Sequence, residues 1–147
     1  MRYLLTLLVI CSALLMQAKD YKIDRKERVQ PYELKIEKFQ VKGPNALLYV
    51  KIKQQKRFSY NVSFDNCYIT LPGQADSIKG TLTKWNDEKK IYRNEKPVSD
   101  EGWEEAVISF PVSGIFEAPS FDLMLGNILD RKRTELRFKS LVIKNKF

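Results

Sequence analysis

Apolar and polar residues alternate along most of this chain, but in three places the alternation breaks and resumes one register out of step. In "ELKIEKFQVKG", "NVSFDNCYITL" and "ELRFKSLVIKN" the apolar residues fall at offsets 0, 2, 5 and 7. They are Leu34, Ile36, Phe39, Val41; then Val62, Phe64, Cys67, Ile69; then Leu136, Phe138, Leu141, Ile143. At the roughly 100° per residue of a helix these positions scatter around the axis and make no face. In an unbroken strand the second pair points away from the first. One extra residue, a β-bulge, returns both pairs to one buried side and bends the strand. A tight hairpin in each break is the alternative; Asp65-Asn66 suits one, whereas Glu37-Lys38 and Lys139-Ser140 do not.

Strand-like segments rich in Val, Ile, Leu, Phe and Tyr occur near 32–42, 46–54, 58–71, 77–85, 89–93, 105–113, 120–125 and 134–145. Between them lie the turn-forming stretches "KGPN", "LPGQADS", "KWNDEKK", "NEKPVSDEG" and "GIFEAPS". This spacing predicts an all-β fold: one antiparallel β-sandwich, immunoglobulin-like or jelly-roll-like, of about seven to eight strands with bulged long strands. The ambiguous segment is "SFDLMLGNILDRKR". Phe121, Leu123 and Leu125 fit a strand, and Ser120 could instead cap a short helix whose inner face is Phe121, Leu125, Ile128 and Leu129. A strand to Leu125 followed by a turn or short helix near 120–130 is the expectation.

The first residues change the picture. Arg2, an apolar run from Tyr3 to Met16 and the small residue Ala18 read as a secretory signal peptide over 1–18. The run is short for a spanning helix, which needs about 20 apolar residues, so no membrane span is expected after cleavage. Cys11 suggests a lipoprotein signal, but Ile10 stands where a small residue belongs and apolar residues continue past the cysteine. The expected location is therefore periplasmic or secreted. Next comes "KDYKIDRKERVQP" (19–31), whose charge predicts a flexible tether ahead of a sandwich domain over 32–147. Cleavage after Ala18 removes Arg2 alone among the 26 basic residues and leaves a single basic domain with a net charge of about +7. Cys67 is then the one remaining cysteine; its place in an apolar register predicts an inert, buried thiol.

Composition excludes much chemistry. With no histidine, Ser-His-Asp and Cys-His catalysis are excluded, along with the commonest metal ligand. One cysteine makes neither a thiolate zinc site nor a redox pair, and six scattered glycines spell no phosphate-binding loop. No cofactor and no metal are expected. Paired carboxylates remain: "SDEGWEEA" supplies Asp100, Glu101, Glu104 and Glu105 beside Trp103, whose ring suits stacking on a sugar. A solvated acidic loop is the competing reading. Lys51 and Lys53 alternate outward from Val50 and Ile52, with Lys56 and Arg57 in the following turn, and Arg131, Lys132 and Arg133 form a second basic run. Together they suggest an anion-binding patch for lipid head groups or acidic glycans, against the alternative of dispersed solubilising charge. Asn61-Val62-Ser63 matches the N-glycosylation acceptor pattern, relevant only in a eukaryotic secretory pathway.

These readings converge on an exported, non-enzymatic binding or assembly module whose partner is a protein or envelope component. The alternatives are a carboxylate-dependent glycan hydrolase or lyase at Asp100 to Glu105, and a binder of anionic surfaces. Export argues against a genomic nucleic-acid target.

Overall fold

The computed structural model describes residues 19–55, 60–88, 90–112 and 119–145. The expected signal peptide, with Cys11, lies outside them. Among the described residues the chain forms twelve strands and no helix: β1 (Lys19–Val29), β2 (Tyr32–Lys42), β3 (Asn45–Gln54), β4 (Asn61–Ser63), β5 (Tyr68–Thr70), β6 (Ile78–Lys79), β7 (Thr81–Trp85), β8 (Glu95–Pro97), β9 (Glu104–Phe110), β10 (Ser120–Ile128), β11 (Glu135–Val142) and β12 (Lys144–Asn145). One antiparallel sheet runs β12-β1-β2-β3-β9-β7; the other runs β6-β5-β10-β4-β8, with β11 on the far side of β10. The two pack face to face as a β-sandwich.

Strict alternation builds the centre of the first sheet. In β3, Ala46, Leu48, Val50, Ile52 and Gln54 are buried while the residues between them are only partly covered. Facing them are Leu34, Ile36 and Phe39 of β2, and Ala106, Ile108 and Phe110 of β9. Bulges keep the outer strands in step with this centre. The register shifts between Lys22 and Arg25 in β1, between Ile36 and Lys38 in β2, and between Leu82 and Lys84 in β7. All three lie in one band across the sheet, because Lys38, Tyr49, Val107 and Lys84 are partners in a row, as are Ile36, Val50, Ala106 and Trp85. In β7 the extra residue leaves Thr83 and Lys84 outside and returns Trp85 to the core.

The three broken alternations resolve differently. In β2 one extra residue restores Phe39 to the buried face, and in β11 Phe138 and Leu141 pair with Leu123 and Phe121 across one extra residue, with Ser140 at φ 54°. In the second segment a turn at Asp65 and Asn66 cuts the strand into β4 and β5. It is not a hairpin, since both pieces pair with the same strand, β10. Ser63 opposes Asn127 and Tyr68 opposes Met124, so two extra residues are looped out where a single bulged residue was expected. Phe64 and Cys67 flank this loop and both are buried. Burial also raises the Cys67 thiol to about 12, consistent with an inert core residue.

Four expectations are corrected. The segment 19–31 is no tether: over 19–29 it is β1, paired with β2 along most of its length, with Ile23 buried and an ion pair from Lys38 to Asp20 at 3.2 Å. Its composition hid this, because a strand at the side of a sheet satisfies its backbone through main-chain bonds and can leave its side chains charged. The helix near 120–130 is absent; β10 continues to Ile128, flanked by strands on both sides, and Met124, Leu125 and Gly126 are buried in succession, which erases the alternation. The strand expected at 89–93 is loop over 90–93, while β8 lies in the segment read as a turn. The strand count exceeds seven to eight because β1 and β8 add to it and the segments 58–71, 77–85 and 134–145 each divide, the last two changing sheets.

Those divisions close the sandwich. β6 pairs with β5 and β7 pairs with β9, and the chain crosses between sheets at Gly80, whose N–H donates to the Cys67 carbonyl at 2.9 Å. A Cβ here would come within 2.6 Å of the Phe110 ring and 2.7 Å of Ile108, so any larger residue would force these core side chains to shift. On the other side β11 pairs with β10 and β12 with β1, crossing at Ile143.

Candidate functional site

The site lies where β7 ends and β9 begins. Asn86 adopts φ 50°, a left-handed conformation that asparagine tolerates better than most residues. Its backbone N–H donates to the Glu105 carbonyl at 2.8 Å, and its Oδ1 accepts from the Glu105 N–H at 2.9 Å. The Asn86 side chain and the Ser99 backbone N–H also lie against the Glu104 carboxyl, each favouring its charged form. Ser99 Oγ accepts from the Glu101 N–H at 3.1 Å, tying down the loop that carries Trp103. One turn, one loop and one strand start are thus fastened together by a single asparagine and a single carboxylate.

This framework borders a groove of about 570 Å³ whose lining includes Lys51, Lys84, Asn86, Asp87, Ser99, Glu101, Trp103 and Glu105. Trp103 is 41 % exposed. Lys53 Nζ sits over the indole, 5.9 Å from its centroid, and is not among the residues lining the groove. The other cations are matched by nearby acids: Lys51 pairs with Glu37 at 3.2 Å and Lys84 with Glu105 at 3.9 Å.

Charged groups also enter the interior. Glu104 opposes Ile52, and Lys96 of β8 opposes Val62, so each takes an inward position among core residues. Lys96 is nearly covered and binds the Glu88 carboxylate at 2.6 Å. The Glu104 Oε2 is buried with no hydrogen-bond partner among the described residues. Burial raises the Glu104 pKa above the ordinary carboxyl value and the Glu88 charge raises it further, while the Ser99 and Asn86 bonds work in the opposite sense.

The candidates read from the sequence divide accordingly. Trp103, Lys51 and Lys53 come together, joining the sugar-stacking and basic readings in one place. Glu104 and Glu105 are successive strand residues whose Cβ atoms point to opposite faces, yet both border the groove, as does Glu101, while Asp100 is exposed on the loop. Lys56 and Arg57 lie outside the described residues. Arg131, Lys132 and Arg133 are exposed on the turn between β10 and β11, held by Asp130 bonds to Thr134 at 2.9 and 2.7 Å, and do not line the groove. Asn61 is half-buried in β4, between β8 and β10, and Ser63 of the same acceptor pattern is buried. Sequence reasoning missed Lys84, Asn86, Asp87 and Lys96: the first three were read only as turn chemistry, and nothing local marks a lysine as inward-facing. Among the described residues no group of three carboxylate or thiol side chains converges to hold a metal ion, and none forms a helix able to cross a membrane.

Comparison with known protein families, with curated proteins and with solved structures returns no match.

Proposed function

We propose that this protein is an exported β-sandwich module that binds carbohydrate, as a component of the envelope or extracellular space, in the Trp103 groove without transforming it. The observation that carries the reading is the half-exposed indole, stacked with Lys53 and set at the rim of a groove lined with hydroxyl, amide, ammonium and carboxylate groups. An aromatic face packs against the apolar face of a pyranose, and flanking polar groups fix its hydroxyls. Glu104 and Glu105 are adjacent residues of one strand, whereas glycosidases set two carboxyls on opposite sides of the scissile bond, which favours binding over hydrolysis. The pairing of Lys51 and Lys84 with acids weakens the anionic-surface alternative. Export rests on Arg2 and the apolar run from Tyr3 to Met16.

The test is a glycan microarray probed with the purified protein, followed by calorimetry on the best ligand. Trp103→Ala is expected to weaken binding by about tenfold or more, roughly 1.4 kcal/mol, with little change in thermal stability. Retention of no glycan, or release of shortened sugars from a bound one, sinks the reading. Binding that disappears as salt is raised points instead to the anionic-surface alternative. Fractionation with N-terminal sequencing tests export separately.

A further inference from the structure

Resting on that carbohydrate reading, we infer that the site continues past the turn at Trp85 to Glu88 into a second groove around Tyr92, and that the ligand is an uncharged sugar chain rather than a single sugar. The second groove, of about 600 Å³, is lined by Glu88, Tyr92, Arg93, Lys96 and Pro97 among others. Two chain segments run from one groove to the other. In the turn, Asp87 faces the first groove and Glu88 the second, and the Glu88 N–H closes the turn onto the Trp85 carbonyl at 3.0 Å. In the other segment Pro97 lines the second groove and Ser99 the first, with Val98 buried between them. The same turn and the same Pro97 to Ser99 segment therefore border both grooves.

Their chemistry matches. Among the described residues the exposed large hydrophobic side chains are Tyr60, Tyr92, Trp103 and Val142, so an exposed aromatic stands in each groove. Tyr92 is 86 % exposed, far more than a ring that serves the core. Across the two grooves neither sign dominates: the lining carries the bases Lys51, Lys84, Lys90, Arg93 and Lys96 against six carboxylates, with Lys96 on Glu88 at 2.6 Å and Lys84 on Glu105 at 3.9 Å. A ligand matched to two aromatic platforms separated by a polar ridge, in grooves of balanced charge, is a chain of uncharged pyranoses, one unit on each ring and hydroxyls over the ridge. A polyanion would instead require a surplus of cations over carboxylates.

The experiment is titration calorimetry of the full chain with neutral glucose-, mannose-, xylose- and N-acetylglucosamine-based ligands, each from the monosaccharide to the hexasaccharide. Affinity is expected to rise with length by about tenfold or more once the second ring is reached. Tyr92→Ala is expected to reduce the long ligands to the affinity of the short ones and leave the short ones unchanged; Trp103→Ala is expected to weaken both. Both substituted residues are at the surface, so the variants are expected to fold, which circular dichroism verifies. Affinity independent of length, or long-chain binding indifferent to Tyr92→Ala, overturns the extended site while leaving the Trp103 groove standing. Binding of no neutral sugar at any length overturns the carbohydrate reading with it. Heparin binding that raised salt abolishes, with no neutral ligand retained, overturns both in favour of a polyanion.

Discussion

At one end of the sandwich, Phe39 lies 5.1 Å from Phe121 and 6.1 Å from Phe110, ring centroid to ring centroid, and Gly80 is pressed against Phe110 and Ile108. At the other end, the same inward-facing positions carry Glu104 and Lys96 beside Asn86 and Glu88. The register places these regions apart, since Phe110 pairs with Ala46 near the start of β3 and Glu104 with Ile52 near its finish. The difference is one of material inside a single architecture. The apolar end is held by dispersion and exclusion of water, which specify shape but recognise nothing outside. The polar end keeps charges near the core through fixed hydrogen bonds, at some cost in desolvation, and so presents oriented groups at a surface.

The largest effect expected from breaking this contrast is at the apolar end. Phe39→Ala is expected to lose about 3–5 kcal/mol of stability in urea unfolding, because the cavity cannot collapse against two sheets. Sugar affinity per folded molecule is expected to stay unchanged; a parallel loss of affinity would show that the two ends are coupled.

Asn86→Ala attacks the polar end. It removes the bond to the Glu105 N–H and the amide beside the Glu104 carboxyl, and forces alanine into the left-handed region. The expected loss is about 1–3 kcal/mol, with weakened glycan binding because the Trp103 loop loses its fastening. Unchanged affinity at reduced stability would make the clasp purely structural.

Glu104→Gln is expected to change a slope rather than a level. The folded-state pKa is raised, so the unfolded chain releases this proton at lower pH than the folded protein does. The carboxyl's contribution is fully present below its ordinary value of 4.5 and is lost as pH rises through the folded value. Over that window the wild type is expected to lose stability relative to the glutamine variant. Melting temperatures of the pair, stepped through pH, check this; parallel curves would contradict the burial.

The smallest effect is expected at Lys53→Ala, which removes the ammonium stacked over the Trp103 ring. Glycan affinity is expected to fall by about 0.5–1 kcal/mol, with stability nearly constant. A loss as large as that of Trp103→Ala would mean that Lys53 itself touches the ligand.

Much of the apolar end was legible in the chain. Leu34, Ile36, Phe39, Leu136, Phe138 and Leu141 announced both their burial and the bulges between them, because strand faces alternate with a fixed period that an inserted residue visibly breaks. Of the polar end, Trp103, Lys51 and Lys53 were named, but as members of separate hypotheses. Lys96 was lost in a turn-like stretch, and β1 was lost in its own charge.

What the sequence determined by itself is local and periodic: strands rather than helices, the inward face of each, the bends in β2 and β11, and, through the missing histidine, a large class of chemistry ruled out. Tertiary structure alone decided that 19–29 joins a sheet, that the chain changes sheets at Gly80 and Ile143, and that Lys51, Asn86 and Trp103 share a groove. The reason is that periodicity is written in neighbouring residues, whereas pairing and convergence depend on backbone bonds and contacts between segments far apart in the chain, which composition and spacing do not encode.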